Sequence, residues 1–156
     1  THGLAYASEA RVRDSFLALA PDTVAGATGA RADDGLLTLA ELLDDLPPLS
    51  ADLVVLSACQ TGLGQLAEAE GTVGFPRALL ARGARSVLVS LWNVDDAATG
   101  ALMAAFYRHW LGGGRAPRVG KAEALRRAQR DVRADAAHPA WRDPRYWAAF
   151  QLVGAP

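Results

Sequence analysis

The chain has 156 residues, of which 51% are hydrophobic and 21% charged, and its formal net charge is -1. This length fits one domain with a sizeable core, and the charge gives no electrostatic reason to expect nucleic acid or an anionic membrane as a partner. The single cysteine excludes an internal disulfide and indicates a reducing, cytoplasmic environment. No apolar stretch approaches the roughly 20 residues that span a bilayer.

The first half of the chain predicts two strands and a helix. Residues 15–20 favour a short strand or sheet edge. Thr38 and Glu41 have the spacing of a capping box, and the leucines that follow keep a helical period until the prolines at 47–48 end the helix. Residues 53–56 form a short apolar run between turn formers, which predicts a strand buried on both faces, as in a parallel sheet.

The second half predicts three helices and two strands. In order, these are a helix at 75–82 that closes at Gly83, a strand at 86–91, a helix capped by Asp95 or Asp96 and ended by Gly112, a helix at about 120–134, and a strand at 146–153. The middle helix has an apolar stripe of Thr99, Leu102, Met103, Phe106, Tyr107 and Trp110. The alternation predicts an α/β fold with a parallel sheet covered by helices, and we assign residues 1–156 to one domain.

Cys59 is the principal candidate for chemistry. It follows the predicted strand at 53–56, and ligands bind at the carboxyl ends of the strands of open α/β sheets. A cysteine at that edge, with a histidine held nearby by the fold, is the arrangement of a thiolate nucleophile. The small and polar residues at 60–62 leave room for a substrate. The competing interpretation is that Cys59 is a small buried hydrophobe, as free cysteines often are.

The three histidines differ as candidate partners of the thiol. His2 is followed by Gly3, whose backbone N–H is unobstructed, although a histidine near a terminus is often only solvated. His109 lies near the end of a predicted helix, where the helix dipole favours a cation. His138 precedes a proline in a predicted loop. The last two are therefore weaker candidates.

Three carboxylates have both a structural and a functional interpretation. Asp95 and Asp96 fit the N-cap of a helix, and they also follow a strand at the same sheet edge as Cys59. There they would line a pocket for a basic side chain. Glu70, which precedes the helix after Cys59, would serve the same pocket or only favour the N-terminus of that helix.

Other patterns are ordinary. The arginines of the helix at 120–134 predict a solvated face, and the four tryptophans predict packing rather than a ligand cage. The cysteine and histidines have no metal-ligand spacing, and no glycine-rich nucleotide motif follows a strand, so we predict no metal and no cofactor. Ser57 and Ser90 are alternative nucleophiles, but neither lies in a Gly-x-Ser-x-Gly elbow.

Several segments, taken together, resemble the CHAT domain. They are Thr1-His2-Gly3, DGLLTLAEL at 34–42, ADLVVLSACQTG at 51–62, GTVGFPRALLARGARSVLVSLWNVDD at 71–96 and YWAAFQLVG at 146–154. CHAT domains are caspase-like cysteine peptidases, related to caspases and separase and often joined to tetratricopeptide repeats. The resemblance covers essentially the whole chain, in order.

This resemblance implies a caspase-like α/β/α sandwich with a mostly parallel sheet. His2 matches the histidine and Cys59 the nucleophile of the family's catalytic dyad, and the backbone N–H groups of Gly3 and Cys59 would form the oxyanion hole. Asp95 and Asp96 fall in the segment that helps to shape the S1 pocket, which makes them candidates for selecting a basic P1 residue.

The resemblance also sets expectations for the protein as a whole. Family members have strands before the His-Gly pair that this sequence lacks, so we expect the chain to be the C-terminal portion of the domain. The predicted function is a cysteine endopeptidase that cleaves protein substrates and is controlled by a repeat or sensor region outside this chain, with no nucleic acid or membrane partner. The alternative is a non-catalytic scaffold that keeps the fold for partner binding.

Overall fold

We describe the protein from a computed structural model that defines residues 2–4 (backbone), 12–19, 35–56, 71–112 and 117–156. Its strands are β1 (His2–Leu4), β2 (Phe16–Ala18), β3 (Leu36–Thr38), β4 (Val54–Leu56), β5 (Ser86–Ser90) and β6 (Phe150–Gly154). Its helices are α1 (Leu39–Asp44), α2 (Gly71–Ala81), α3 (Asp96–Leu111) and α4 (Lys121–Arg133). Short 3₁₀ helices occur at Val12–Asp14, Pro139–Arg142 and Pro144–Tyr146. The fold is α/β, as the sequence predicts.

Over the described residues the strands form two three-stranded sheets. The first is antiparallel, in the order β1-β2-β3, with Gly3 opposite Leu17. The second has the order β4-β5-β6, in which β4 and β5 are parallel and β6 is antiparallel to β5. The second sheet is therefore mixed, which corrects the expectation of a mostly parallel sheet.

The direction of β6 follows from the path of α4, the helix before it. At the start of α4, Lys121 Nζ donates to the carbonyl O of Asp52, just before β4. Near the other end of α4, Gln129 Nε2 donates to the carbonyl O of Phe150, which pairs with Ser90 at the end of β5. Because α4 returns the chain to the rim where β5 ends, β6 starts at that rim and has to run antiparallel to β5.

Helices cover both faces of the second sheet. Successive side chains of a strand point to opposite faces, so Val87 and Val89 of β5 pack with α1 and α2, whereas Leu88 packs with α3 and α4. All five residues of β5 are buried, which confirms the predicted buried strand. β4 is only half-buried, contrary to expectation, because among the described strands it pairs with β5 on one side only.

The residues at the start of α1 and the end of α2 act as the sequence predicts. The Thr38 hydroxyl accepts from the backbone N–H of Glu41 at 3.1 Å, and the Glu41 carboxylate accepts from the backbone N–H of Thr38 at 2.9 Å, which completes a capping box. Gly83 follows α2 with a φ of 107°, a conformation that strongly favours glycine. None of the described helices is long and apolar enough to cross a membrane.

Two packing details differ from the sequence prediction. Tyr107, which the apolar stripe of α3 includes, is 38% exposed, while Ala98 and Ala105 of the same helix are buried. The strand predicted at 146–153 begins only at Phe150. Tyr146 instead ends the 3₁₀ helix Pro144–Tyr146, which Asp143 caps and Pro144 begins, and residues 147–149 form a turn.

Candidate active site

The candidate site lies at the rim of the second sheet where β4 and β5 end. Because these strands are parallel and Leu56 pairs with Val89, their carboxyl ends meet at one rim. Cys59 follows the last residue of β4 by three positions. Cys59, Glu70 and Ser57 lie outside the described residues, so their predicted roles stay predictions.

His2 and Gly3 belong to β1, at one side of the antiparallel sheet. His2 pairs with Ala18, and Gly3 pairs with Leu17. That sheet packs through Leu17 and Leu37 on a core that includes Val89, at the carboxyl end of β5. The strand that carries His2 thus belongs to a sheet anchored on the same core as the end of β5.

Asp95 and Asp96 lie at the rim, just after β5, and both are exposed. The Asp95 carboxylate accepts a hydrogen bond from the backbone N–H of Ala98 at 2.9 Å, which confirms its predicted role as the N-cap of α3. Within the described part of the chain neither carboxylate forms a salt bridge, and the buried Val94 anchors the loop beneath them. Two negative charges are therefore held at the rim, open to a ligand.

Trp92 is a rim residue for which the sequence predicts core or rim packing, and it lies in the segment that the family resemblance places at the S1 pocket. The residue is 38% exposed, and its Nε1 donates to the carbonyl O of Arg145 at 3.1 Å. This bond ties the loop between β5 and Asp95 to the 3₁₀ helix Pro144–Tyr146. The signal in the sequence was its position between a buried strand and an N-cap aspartate, but only the structure shows that it is exposed.

The weaker candidates have structural roles. His109 Nε2 lies 2.8 Å from a carboxylate oxygen of Asp131, and His138 stacks on Trp141 with ring centroids 3.9 Å apart. Ser90 is 6% exposed and pairs with Phe150, so a substrate has no access to its hydroxyl.

Comparison with known proteins identifies the family. A sequence model of the CHAT domain matches residues 1–155. Tetratricopeptide repeat protein 28 of Mus musculus is 41% identical over 120 residues, which is 77% of this chain and 4% of that protein. The Homo sapiens protein of the same name is 38% identical over 120 residues, with the same coverage of 77% and 4%.

The match confirms the resemblance noted in the sequence, and it includes the His-Gly pair, Cys59 and the two rim aspartates. The chain spans only about 4% of the length of these curated relatives. Because the family model covers nearly the whole of it, the chain belongs to the CHAT domain family.

Proposed function

We propose that this domain is a caspase-like cysteine endopeptidase whose catalytic dyad is His2 and Cys59. The observation that carries the proposal is the family match over residues 1–155, because CHAT domains are caspase-like and the match includes both residues. The parallel pair of β4 and β5 supports it, since β4 leads toward Cys59 at the rim where α/β sheets bind ligands. Helices on both faces of the sheet agree with a caspase-like sandwich.

The chemistry follows from the properties of a thiolate. With an imidazolium beside it, the Cys59 thiol loses its proton more readily, and the thiolate attacks the carbonyl carbon of the scissile peptide bond. The backbone N–H groups of Gly3 and Cys59 donate to the oxyanion, and one such donor is worth about 3–4 kcal/mol. His2 then protonates the leaving amine, and water hydrolyses the acyl-enzyme.

The decisive experiment is the substitution Cys59→Ala in the full-length protein. We expect loss of substrate cleavage and of iodoacetamide alkylation at position 59, read by peptide mass spectrometry, with an unchanged circular dichroism spectrum. Ser90→Ala is the matched control, because Ser90 is buried and should leave cleavage intact. Normal cleavage by the Cys59→Ala protein would disprove the proposal.

The pH dependence of alkylation separates a peptidase from a scaffold. If His2 and Cys59 form an ion pair, iodoacetamide reacts with the thiolate well below pH 7, and His2→Ala returns the midpoint to about 8.5, the ordinary pKa of a thiol. A midpoint near 8.5 in both proteins, together with binding but no turnover of candidate substrates, would favour the non-catalytic scaffold.

We also propose that the rim carboxylates Asp95 and Asp96, together with Glu70, select a basic P1 residue. Asn caps a helix as well as Asp does, so Asp95→Asn removes the charge and keeps the cap. We expect Asp95→Asn and Asp96→Asn each to lower kcat/KM for an Arg P1 peptide, relative to an Ala P1 peptide, by about tenfold, or 1.4 kcal/mol. An unchanged ratio would leave Asp95 and Asp96 with only their role at the start of α3.

A regulatory region outside this chain completes the proposal. The relatives are named for tetratricopeptide repeats, and this chain corresponds to a small share of their length. Comparing the cleavage rate of the full-length protein with that of a version lacking its repeats tests this control, and equal rates under all conditions would refute it.

A further inference from the structure

An open cleft beside the C-terminal end of α4 is lined chiefly by arginines. It has a volume of about 410 Å³, and its lining residues are Arg130, Arg133, Ala134 and Arg142. All three arginines are exposed, and among the described residues none of them forms a salt bridge. Three guanidinium groups therefore face one cleft without a carboxylate partner from the described part of the chain.

The acidic residues next to the cleft arginines in the sequence already have other partners. The pairs are Asp131 with Arg108 and His109, Asp135 with His138, and Asp143 with Arg145. Within the described part of the chain, no carboxylate pairs with the cleft arginines, which leaves them able to bind an anion of another molecule.

The helix dipole alone does not account for this cluster. Arg130 and Arg133 lie in the last turn of α4, where the dipole favours cations. Arg142, however, belongs to the 3₁₀ helix Pro139–Arg142, which the buried Trp141 anchors to the core. Two separate elements thus bring arginines to the same cleft, and the guanidinium of Arg133 lies 6.0 Å from the ring centroid of Trp147.

The cleft lies toward the same rim as the candidate active site. α4 starts beside Asp52, at the opposite end of the sheet, and its later residue Gln129 bonds to Phe150, which pairs with the last residue of β5. The C-terminal turn of α4 is therefore on the rim side. A polypeptide held in the cleft would be positioned beside the end of the sheet where β4 and β5 terminate.

We propose that this cleft binds an acidic segment of a partner polypeptide, whose Asp and Glu side chains pair with Arg130, Arg133 and Arg142. The planar fork of a guanidinium matches a carboxylate through two parallel hydrogen bonds. A single small anion gains little from exposed arginines in water, whereas a chain with several carboxylates engages all three at once. Only three arginines line the cleft and the net charge is -1, so the described residues offer no extended basic surface of the kind that tracks a nucleic acid backbone.

Fluorescence anisotropy with labelled hexaglutamate tests the proposal in the full-length Cys59→Ala protein, in which cleavage cannot contribute. We expect saturable binding that weakens with added salt, while labelled hexaglutamine does not bind. The double substitution Arg130→Gln and Arg142→Gln should weaken binding at least about tenfold, the equivalent of one unit in log Kd. Both side chains are exposed, so the circular dichroism spectrum should not change.

Arg118→Gln is the matched control, because Arg118 is also exposed but precedes the opposite end of α4. It should change the affinity for hexaglutamate by less than about twofold, or 0.4 kcal/mol. The proposal fails if binding is not saturable, if salt has no effect, or if Arg118→Gln weakens binding as much as the double substitution. It also fails if orthophosphate or a DNA oligonucleotide with six phosphates binds this site more tightly than hexaglutamate. These outcomes are independent of whether the wild-type domain cleaves a substrate.

Discussion

At the residue scale, Asp95 combines a structural role with a proposed functional one. Its carboxylate caps α3 through the backbone N–H of Ala98, and it is exposed at the rim after β5. We predict that Asp95→Ala lowers the free energy of unfolding by about 1 kcal/mol, whereas Asp95→Asn changes it by only a few tenths, because Asn accepts the same hydrogen bond. Urea denaturation measures both values.

Equal destabilisation by Asp95→Ala and Asp95→Asn would mean that the negative charge, and not the cap, stabilises α3. The same comparison shows whether Asp95→Asn keeps its stability. If it does, a change in its kcat/KM for Arg P1 peptides reports on substrate selection and not on folding. Asp96, the first residue of α3, serves as the neighbouring control because Ala98 bonds to Asp95 and not to Asp96.

At the scale of elements, Gly83 sets the path from α2 to β5. Its φ is 107°, and a Cβ at this position would lie 2.4 Å from the carbonyl O of Leu49. Both the backbone strain and the close contact oppose a side chain, so Gly83→Ala should destabilise the protein by about 2 kcal/mol or more. Thermal or urea unfolding monitored by circular dichroism measures the change.

Gly100 provides the opposite case inside α3. A Cβ there would meet no heavy atom within 4 Å among the described surroundings, and alanine forms helices better than glycine. Gly100→Ala should therefore stabilise the protein by about 0.5–1 kcal/mol. If Gly83→Ala left stability unchanged or raised it as Gly100→Ala should, the role assigned to the positive φ of Gly83 would be wrong.

At the scale of the whole molecule, the second sheet is held between two apolar cores. Leu88 belongs to the core under α3 and α4, and its neighbours Val87 and Val89 belong to the core under α1 and α2. Phe106 is among the largest fully buried side chains and lies in the first of these cores. The position of the candidate active site relative to α4 therefore depends on how these side chains pack.

We predict that Phe106→Ala destabilises the protein by about 3–5 kcal/mol, because it removes apolar contacts and leaves a cavity. Tyr107→Ala is the matched control, since Tyr107 is the next residue of the same helix and is 38% exposed. It should cost less than half as much, as measured by urea unfolding. Similar losses for the two variants would contradict the described orientation of α3.

The elements most accurately predicted were those with local signals. The capping box at Thr38, the N-cap at Asp95, the end of α2 at Gly83 and the limits of α4 all follow from hydrogen bonds or φ values within a few residues. The order of strands and helices from β4 to β6 and the family resemblance also came from the sequence. The dyad of His2 and Cys59 stays a prediction from that resemblance.

Other features depended on residues far apart in the chain. The direction of β6 depends on where α4 returns the chain to the sheet. The burial of Lys121 depends on its hydrogen bond to the carbonyl O of Asp52. The arginine cleft forms only where α4 meets the 3₁₀ helix Pro139–Arg142. Composition and periodicity report which face of a single element is apolar, but not which element covers it. The sequence by itself therefore determined most of the helices and strands, many of their ends, and the family. The tertiary structure decided the direction of β6, the exposure of Asp95 and Asp96 at the end of β5, and the meeting of three arginines in one cleft, because these require contacts between distant segments.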